Sequence, residues 1–279
     1  MKISVILLTA NPTEKQYAWK EALASYIDLA DEIILVDGGT EDLTTAFPLE
    51  KKLQIIDMPD PEIWNWAEHA KRLNFALDKA TGDWIIKVDI DWIFHEKDFG
   101  LIRQKLSYFD TPVVTFQKKT IYPFRKYIQK GEVPIGINKK DKHHIRFGKD
   151  LDTYSDLTYP IWWQQRKLID EYGVPIGKLI TKKDWGKTGL DFWNFDYTFT
   201  TLENMKKKWL RMSKSHNEYF GSTSWGHDEE EAFIAFMNNM RGKLSRSIDL
   251  GDITLPKYIK ERIDNLKPEE FGHSFWGLL

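Results

Sequence analysis

The run Trp84-Ile85-Ile86-Lys87-Val88-Asp89-Ile90-Asp91 ends an apolar stretch on two carboxylates two residues apart. In an extended strand the side chains at i and i+2 project to the same side, so Asp89 and Asp91 are expected to face one site together while Ile90 turns into the core. Asp-x-Asp also occurs in turns and solvated loops. An apolar strand, however, gains nothing from ending on two carboxylates unless a cation or a hydrogen-bond donor meets them. Mg²⁺ and Mn²⁺ are commonly held by only one or two protein carboxylates, with water and phosphate oxygens completing the shell, so the pair suits a metal–diphosphate site.

The residues before this run alternate between strand and helix patterns. Ile3–Leu8 reads as a buried strand, and Thr13-x-x-Gln16 offers a capping box for a helix with Trp19, Ala22, Leu23, Tyr26 and Ala30 on its apolar face. Glu32–Val36 is a second strand, running into Asp37-Gly38-Gly39-Thr40, whose glycines permit close backbone approach; Leu53–Asp57 is a third. Pro61 opens a helix with a stripe of Trp66, Ala70, Leu73, Leu77 and Ala80, stopped by Gly82. In open α/β sheets ligands gather outside the carboxyl ends of the strands, where Thr9-Ala10-Asn11, Asp37 and Asp89-Ile90-Asp91 all fall.

Beyond residue 100 the pattern loosens. Val113–Phe116 reads as a core strand, and the charged, glycine-containing stretch Lys118–Asp150 as a surface loop or flap, with Lys139-Lys-Asp-Lys-His-His144 a solvated charge run lacking metal-ligand spacing. Two Val-Pro-Ile-Gly copies are too short to be a repeat. Thr200-x-x-Glu203 caps a helix burying Leu202, Met205, Trp209 and Met212 and leaving Lys206, Lys207, Lys208 and Arg211 outside. A second helix opens on Trp225-Gly226-His227-Asp228-Glu229-Glu230-Glu231 and buries Phe233, Phe236, Met237 and Met240 before Gly242. Acids at a helix N-terminus complement its dipole, but four in a row exceed that need, and one carboxylate there is a candidate general base.

Length and composition limit the alternatives. A chain of 279 residues, 42% hydrophobic, can bury one sizeable core. A net charge of −2 argues against a nucleic-acid binder. The absence of cysteine removes disulfides and thiolate sites and fits a reducing, cytoplasmic setting, with the membrane surface as the alternative. The segment Ile3–Leu8 is too short for a signal-peptide core, and no stretch is long enough to span a bilayer. Twelve tryptophans favour a carbohydrate ligand, with Trp162, Trp163, Trp193 and Trp225 as candidate sugar platforms beside their ordinary reading as core.

Taken in order, Thr9-x-Asn11, Ile34-Leu-Val-Asp-Gly-Gly-Thr40 and Asn74-Phe-Ala-Leu-Asp-Lys-Ala-Thr-Gly-Asp-Trp-Ile-Ile-Lys-Val-Asp-Ile-Asp91 resemble the GT-A glycosyltransferases of family 2. The resemblance implies an α/β fold with a Rossmann-like, nucleotide-binding mixed sheet flanked by helices. Residues 1–100 would be its nucleotide-sugar half, 101–250 its acceptor half and 251–279 a helical tail. It implies nucleotide contacts from Thr9, Ala10, Asn11, Asp37 and Asp89, and a Mn²⁺ or Mg²⁺ ion on Asp91, with Asp89 and His216 as further metal candidates. Asp228-Glu229 resembles the family's later acidic motif in inverted order, which makes Asp228 or Glu229 the base. Arg72 stands one position away from the arginine expected before Asn74, so its direction is left open. The implied reaction is a single inverting displacement from a nucleotide-diphosphate sugar to a hydroxyl of a glycan, lipid-linked or protein acceptor.

Two other readings remain at this level. A sugar nucleotidyltransferase would need a glycine-rich loop after strand 1, which Thr9-Ala-Asn-Pro-Thr-Glu-Lys15 lacks. A noncatalytic carbohydrate-binding protein would have no reason to keep Asp37, Asp89, Asp91 and Asp228 together.

Overall fold

The computed structural model describes residues 1–47, 50–60, 66–122, 125–141, 147, 168–169, 175–176, 185–220, 225–251 and 253–267. The first elements follow the apolar pattern: β1 (Ile3–Thr9), α1 (Trp19–Leu29), β2 (Glu32–Asp37), β3 (Leu53–Asp57), α2 (Trp66–Lys79), β4 (Trp84–Lys87), β5 (Trp92–Phe94) and α3 (Phe99–Tyr108). The rest are β6 (Val113–Tyr122), β7 (Lys126–Asn138), β8 (Leu168–Ile169), β9 (Pro175–Ile176), β10 (Gly186–Asn194), α4 (Leu202–Phe220), α5 (Glu229–Leu244), β11 (Ile248–Asp249) and α6 (Lys257–Asp264).

One mixed sheet runs β3-β2-β1-β4-β7-β6-β10-β5, with β11 paired to β7. The strands from β3 to β4 are parallel, and β7 then joins β4 antiparallel. Chain order reverses direction at β1, which leaves a crevice beyond the carboxyl ends of β1 and β4, the usual ligand position in such sheets. One apolar layer packs α1 onto the sheet through Trp19, Leu23, Tyr26 and Leu29; another packs α2 through Ala70, Leu73 and Leu77. Each buried leucine in these layers contributes roughly 1.5–3 kcal/mol. A third cluster, Met205, Trp209, Phe236, Met237 and Met240, joins α4 to α5.

Several expectations are corrected. Asp89 and Asp91 lie beyond β4, in a turn where Trp92 N–H donates to Asp89 O at 3.2 Å, so strand alternation is not what aligns them. Thr13–Gln16 is not a cap. It is a turn in which Gln16 takes φ 61°, its Oε1 accepts from Thr201 N–H at 2.7 Å, and Thr13 Oγ1 accepts from Trp19 Nε1 at 3.1 Å. α1 starts after Ala18 without a side-chain cap.

The stretch from Lys118 read as a flap is largely the long β6–β7 hairpin at the sheet centre. Its inner end is apolar (Val133, Ile135, Ile137), and only its outer end carries the charge that suggested a loop. Thr201, not Thr200, caps α4, with Oγ1 accepting from Asn204 N–H at 3.3 Å. α4 runs on through Lys214 and Ser215 to Phe220, and α5 passes Gly242 to Leu244.

The C-terminal segment docks against α1. Arg262 pairs with Glu21 at 3.1 Å and covers the Phe199 ring, while Lys257 pairs with Asp28 at 3.0 Å. Pro61, His143, His144, Trp162, Trp163, Val174 and Gly177 lie outside the described residues, as do the side chains of Trp66 and His216.

Candidate active site

The crevice is a cavity of about 280 Å³. β1 brings Thr9 and Ala10 to its rim, the turn after β4 brings Asp89, Ile90 and Asp91, and α2 brings His69 and Arg72. From the second half come Lys118 on β6, Asn194 and Asp196 at the end of β10, and Lys208, Arg211 and Met212 on α4.

The carboxylate turn is held from below. Val88 N–H donates to Ile6 O at 3.0 Å, prolonging the β1–β4 ladder to the edge of the turn. The buried Tyr26 hydroxyl of α1 meets the backbone carbonyls of both Asp89, at 2.7 Å, and Trp92. Tyr26→Phe should therefore loosen the turn without emptying the core. We expect a stability loss of about 1–3 kcal/mol from the unsatisfied carbonyls, together with a roughly 10–100-fold fall in activity of the kind seen when a supporting hydrogen bond is removed. Thermal denaturation and steady-state kinetics would check this, and unchanged kcat with a lowered Tm would reduce Tyr26 to packing.

The two carboxylates differ. Asp89 accepts from Lys87 Nζ at 2.6 Å; burial pushes its pKa up, but the charge and hydrogen bond of Lys87 prevail and the net shift is down. Asp91, the more deeply buried of the two, is pushed well above the usual carboxylate range by burial and then by the neighbouring Asp196. Asp196 itself is ion-paired with Lys208. Burial works against the Lys208 charge, yet Asp196, and after it Tyr17 and Asp91, hold its pKa up. Lys15, whose Nζ donates to Ala10 O at 2.5 Å, is lowered to about 8 by burial and by Arg211. Burial lowers His69 to about 4, so it is neutral at pH 7.

Among the described residues no three His, Cys, Asp or Glu side chains form a group that could hold a metal ion. Two carboxyl groups on one turn, one of them buried and without an ion-pair partner among the described residues, nevertheless match a hard cation that takes the rest of its shell from phosphate and water. Asp91 and Asp89 are the residues that fit it. For His216 only the backbone, inside α4, is described.

Asn11 and Asp37 are not among the residues that line the cavity, whereas Thr9 is. The side chain of Asn11, at φ 47°, is engaged in structure: its Oδ1 accepts from Thr40 N–H at 2.7 Å and Glu41 N–H at 3.2 Å. A Cβ on Gly39 would strike this residue, which explains the glycine. Asp37, buried beside the crevice, accepts from Gly39 N–H at 3.0 Å, and burial followed by Asp57, Glu41 and Asp60 outweighs that bond and raises its pKa. Thr9 Oγ1 is buried without a hydrogen-bond partner among the described residues.

Asp228 and Glu229 are exposed and are not among the cavity-lining residues. Asp228 Oδ1 accepts from Glu231 N–H at 2.9 Å and Glu231 Oε2 from His227 N–H at 2.8 Å, a reciprocal capping box that explains two of the four acids. Trp193 is core, and Trp225 packs on Trp209 at 5.4 Å.

Sequence reasoning missed Asp196, Lys118, Lys208 and Arg211 and left Arg72 undirected. Arg72 faces the cavity, tied to Asp60 at 2.8 Å and to Pro59 O at 2.6 Å. Lys208 lies only ~60° around the helix from Met205, a signal that a helix has two buried edges and not one. Asp196 carried no local signal.

A sheet with its carboxylate turn at the switch point of a parallel half, continued by a mixed second half, is the GT-A architecture of sugar-transferring enzymes. Residues 4–173 match glycosyl transferase family 2, and the chain belongs to that family: it is a glycosyltransferase. No curated protein matches the chain. Among solved structures it resembles Staphylococcus aureus TarS 1–349 in complex with UDP-GlcNAc (15% identity, TM-score 0.46, covering 95% of this chain and 83% of that one). It also resembles the mannosyltransferase PcManGT from Pyrobaculum calidifontis in complex with GDP-Man and Mn²⁺ (12% identity, TM-score 0.45, covering 99% and 84%). Among the described residues no helix is long and apolar enough to cross a membrane.

Proposed function

We propose that the protein transfers a sugar from a nucleoside-diphosphate donor to an acceptor hydroxyl with inversion, in a divalent-cation-dependent reaction. The observation that carries this reading is the Asp89–Asp91 turn at the crevice, whose buried Asp91 has no ion-pair partner among the described residues. The nucleoside lies toward Thr9, Asp37 and Asp60, where a hydroxyl without a hydrogen-bond partner among the described residues and two carboxyl groups offer contacts to a base and a ribose. Asp91 and Asp89 would hold the cation, which when bound offsets charge on the departing diphosphate. Lys15, Arg72, Lys208 and Arg211, on the same walls, orient the diphosphate as fixed cations.

A single inverting displacement needs one carboxylate to take the acceptor proton, worth ~10²–10⁴-fold. In this reading the base is Asp196, held by Lys208 and assigned neither to the cation, as Asp89 and Asp91 are, nor to the nucleoside, as Asp60 is, while Asp228 serves α5 as its cap. Acceptors are hydroxyl-bearing glycan, lipid-linked or protein groups.

The test is a thermal-shift panel of nucleoside-diphosphate sugars with and without Mn²⁺. A ligand at about 100 times its Kd stabilises by about 2.7 kcal/mol, so one nucleotide family should raise Tm clearly, and more so with the metal. A flat panel would remove the donor assignment, and a metal-independent shift would remove the cation.

A further inference from the structure

Around Asp196, three lysines meet without ion-pair partners among the described residues. Lys118 and Lys130 lie on the same face of the β6–β7 hairpin: Lys119 is opposite Gln129 and Thr120 opposite Ile128, so the next step, at the ladder's irregularity, brings Lys118 to Lys130. Ile128 on that face packs into the α4–α5 cluster. Lys243, near the end of α5, sits 5.9 Å from the Tyr197 ring, which stacks on Tyr122 at 5.7 Å. Lys208 approaches the same Tyr197 ring at 5.9 Å, linking this seam to the cavity that Lys118 lines.

None of the three lysines has an ion-pair partner among the described residues; Asp196 is the one acid acting on all three and is already paired with Lys208, while Lys118, at the inner end of the seam, also feels Asp89 and Asp91. Burial, and then neighbouring lysines, depress Lys130 to about 8 and lower Lys243; burial foremost also lowers Lys118. The same face of β6 carries Thr120 Oγ1 and Tyr122 Oη, both buried and without a hydrogen-bond partner among the described residues. Desolvated like charges beside orphaned hydroxyls are costly unless something negative completes them.

We propose that Lys118, Lys130 and Lys243 form an anion subsite at the seam between the β6–β7 hairpin and α5, which takes a phosphate or carboxylate group borne by the acceptor. This rests on the transferase reading, with the donor's own diphosphate placed on the opposite, β1–β4 side of the cavity. It restricts the acceptor class to molecules that carry a negative group near the hydroxyl to be glycosylated.

The experiment is calorimetric titration of the full chain with glycerol 1-phosphate, and with glycerol as the neutral control. Each is run with and without a saturating nucleoside diphosphate and Mn²⁺. Glycerol 1-phosphate should bind in both conditions and glycerol in neither. Lys130→Gln/Lys243→Gln should weaken the phosphate probe by about tenfold or more, the loss expected for charge-assisted contacts, and leave nucleotide affinity unchanged. Lys130→Arg should retain binding, which separates charge from folding.

Displacement of the probe by the nucleotide would assign the lysines to the donor and overturn the proposal. So would wild-type affinity in the double variant, or no binding to the wild type. Because the probe is also titrated alone, a protein that binds no nucleotide but still binds glycerol 1-phosphate would sink the donor reading and not the subsite.

Discussion

Asp91→Asn is expected to fold, to melt higher than the wild type in metal-free buffer at pH 7, and to lose transfer activity by about 10²–10⁴-fold, the several kcal/mol that a bound cation supplies to a developing charge. The two effects have one cause. The Asp91 carboxyl is raised well above its ordinary pKa, foremost by burial and then by Asp196, so the folded protein binds that proton more tightly than the unfolded chain does. The group therefore favours folding at acid pH, and its contribution is lost as pH rises through and above the ordinary carboxylate range. Asparagine removes this penalty at neutral pH and changes little in acid, where the carboxyl is protonated in both states. Calorimetric melts at two pH values and a donor-hydrolysis or transfer assay with Mn²⁺ would check it. Near-normal turnover would end the assignment of Asp91, and a fall in Tm at pH 7 would show that the carboxylate has a stabilising partner.

Asp196→Asn should retain donor binding and lose most of kcat, because an amide keeps the volume and a hydrogen bond but cannot accept the acceptor's proton. The matched control is Asp228→Asn. Asparagine is itself a good N-cap, so this substitution should leave both turnover and stability nearly unchanged, whereas Asp228→Ala should cost about 1 kcal/mol of stability with turnover still intact. Saturating kcat measurements on the three variants decide between the two carboxylates. If Asp228→Asn abolishes turnover while Asp196→Asn does not, the acidic motif at α5 is the base after all. Loss of donor affinity in Asp196→Asn would instead place that residue on the diphosphate side.

What could be read from the residues alone was whatever depends on neighbours along the chain. The apolar runs at Ile3–Leu8, Glu32–Val36 and Trp84–Val88, and the stripes of α1 and α2, fix a β-α-β-β-α-β order. That order in turn puts Thr9, Asp37 and Asp89–Asp91 at one edge of a sheet. The pairing of the carboxylates was legible although its stated geometry was not, because a tight turn at a strand end presents both side chains to the crevice as an extended strand would.

Only the tertiary structure could decide what stands opposite them. β10 pairs antiparallel with β5, Asn194 against Trp92, and Phe195 N–H donates to Asp91 O at 3.1 Å; this contact across a hundred residues is what delivers Asp196 to Asp91. α4 then lies across the mouth, tied to the loop after β1 by Gln16–Thr201 and by Asn204 Nδ2–Glu14 O at 2.8 Å, so Lys208 and the more exposed Arg211 line the cavity. A helical wheel reports a face but not its neighbour, and a strand pattern reports alternation but not its partner. For that reason the paired carboxylates at the crevice could be found in the sequence, whereas the cations and Asp196 that surround them could not.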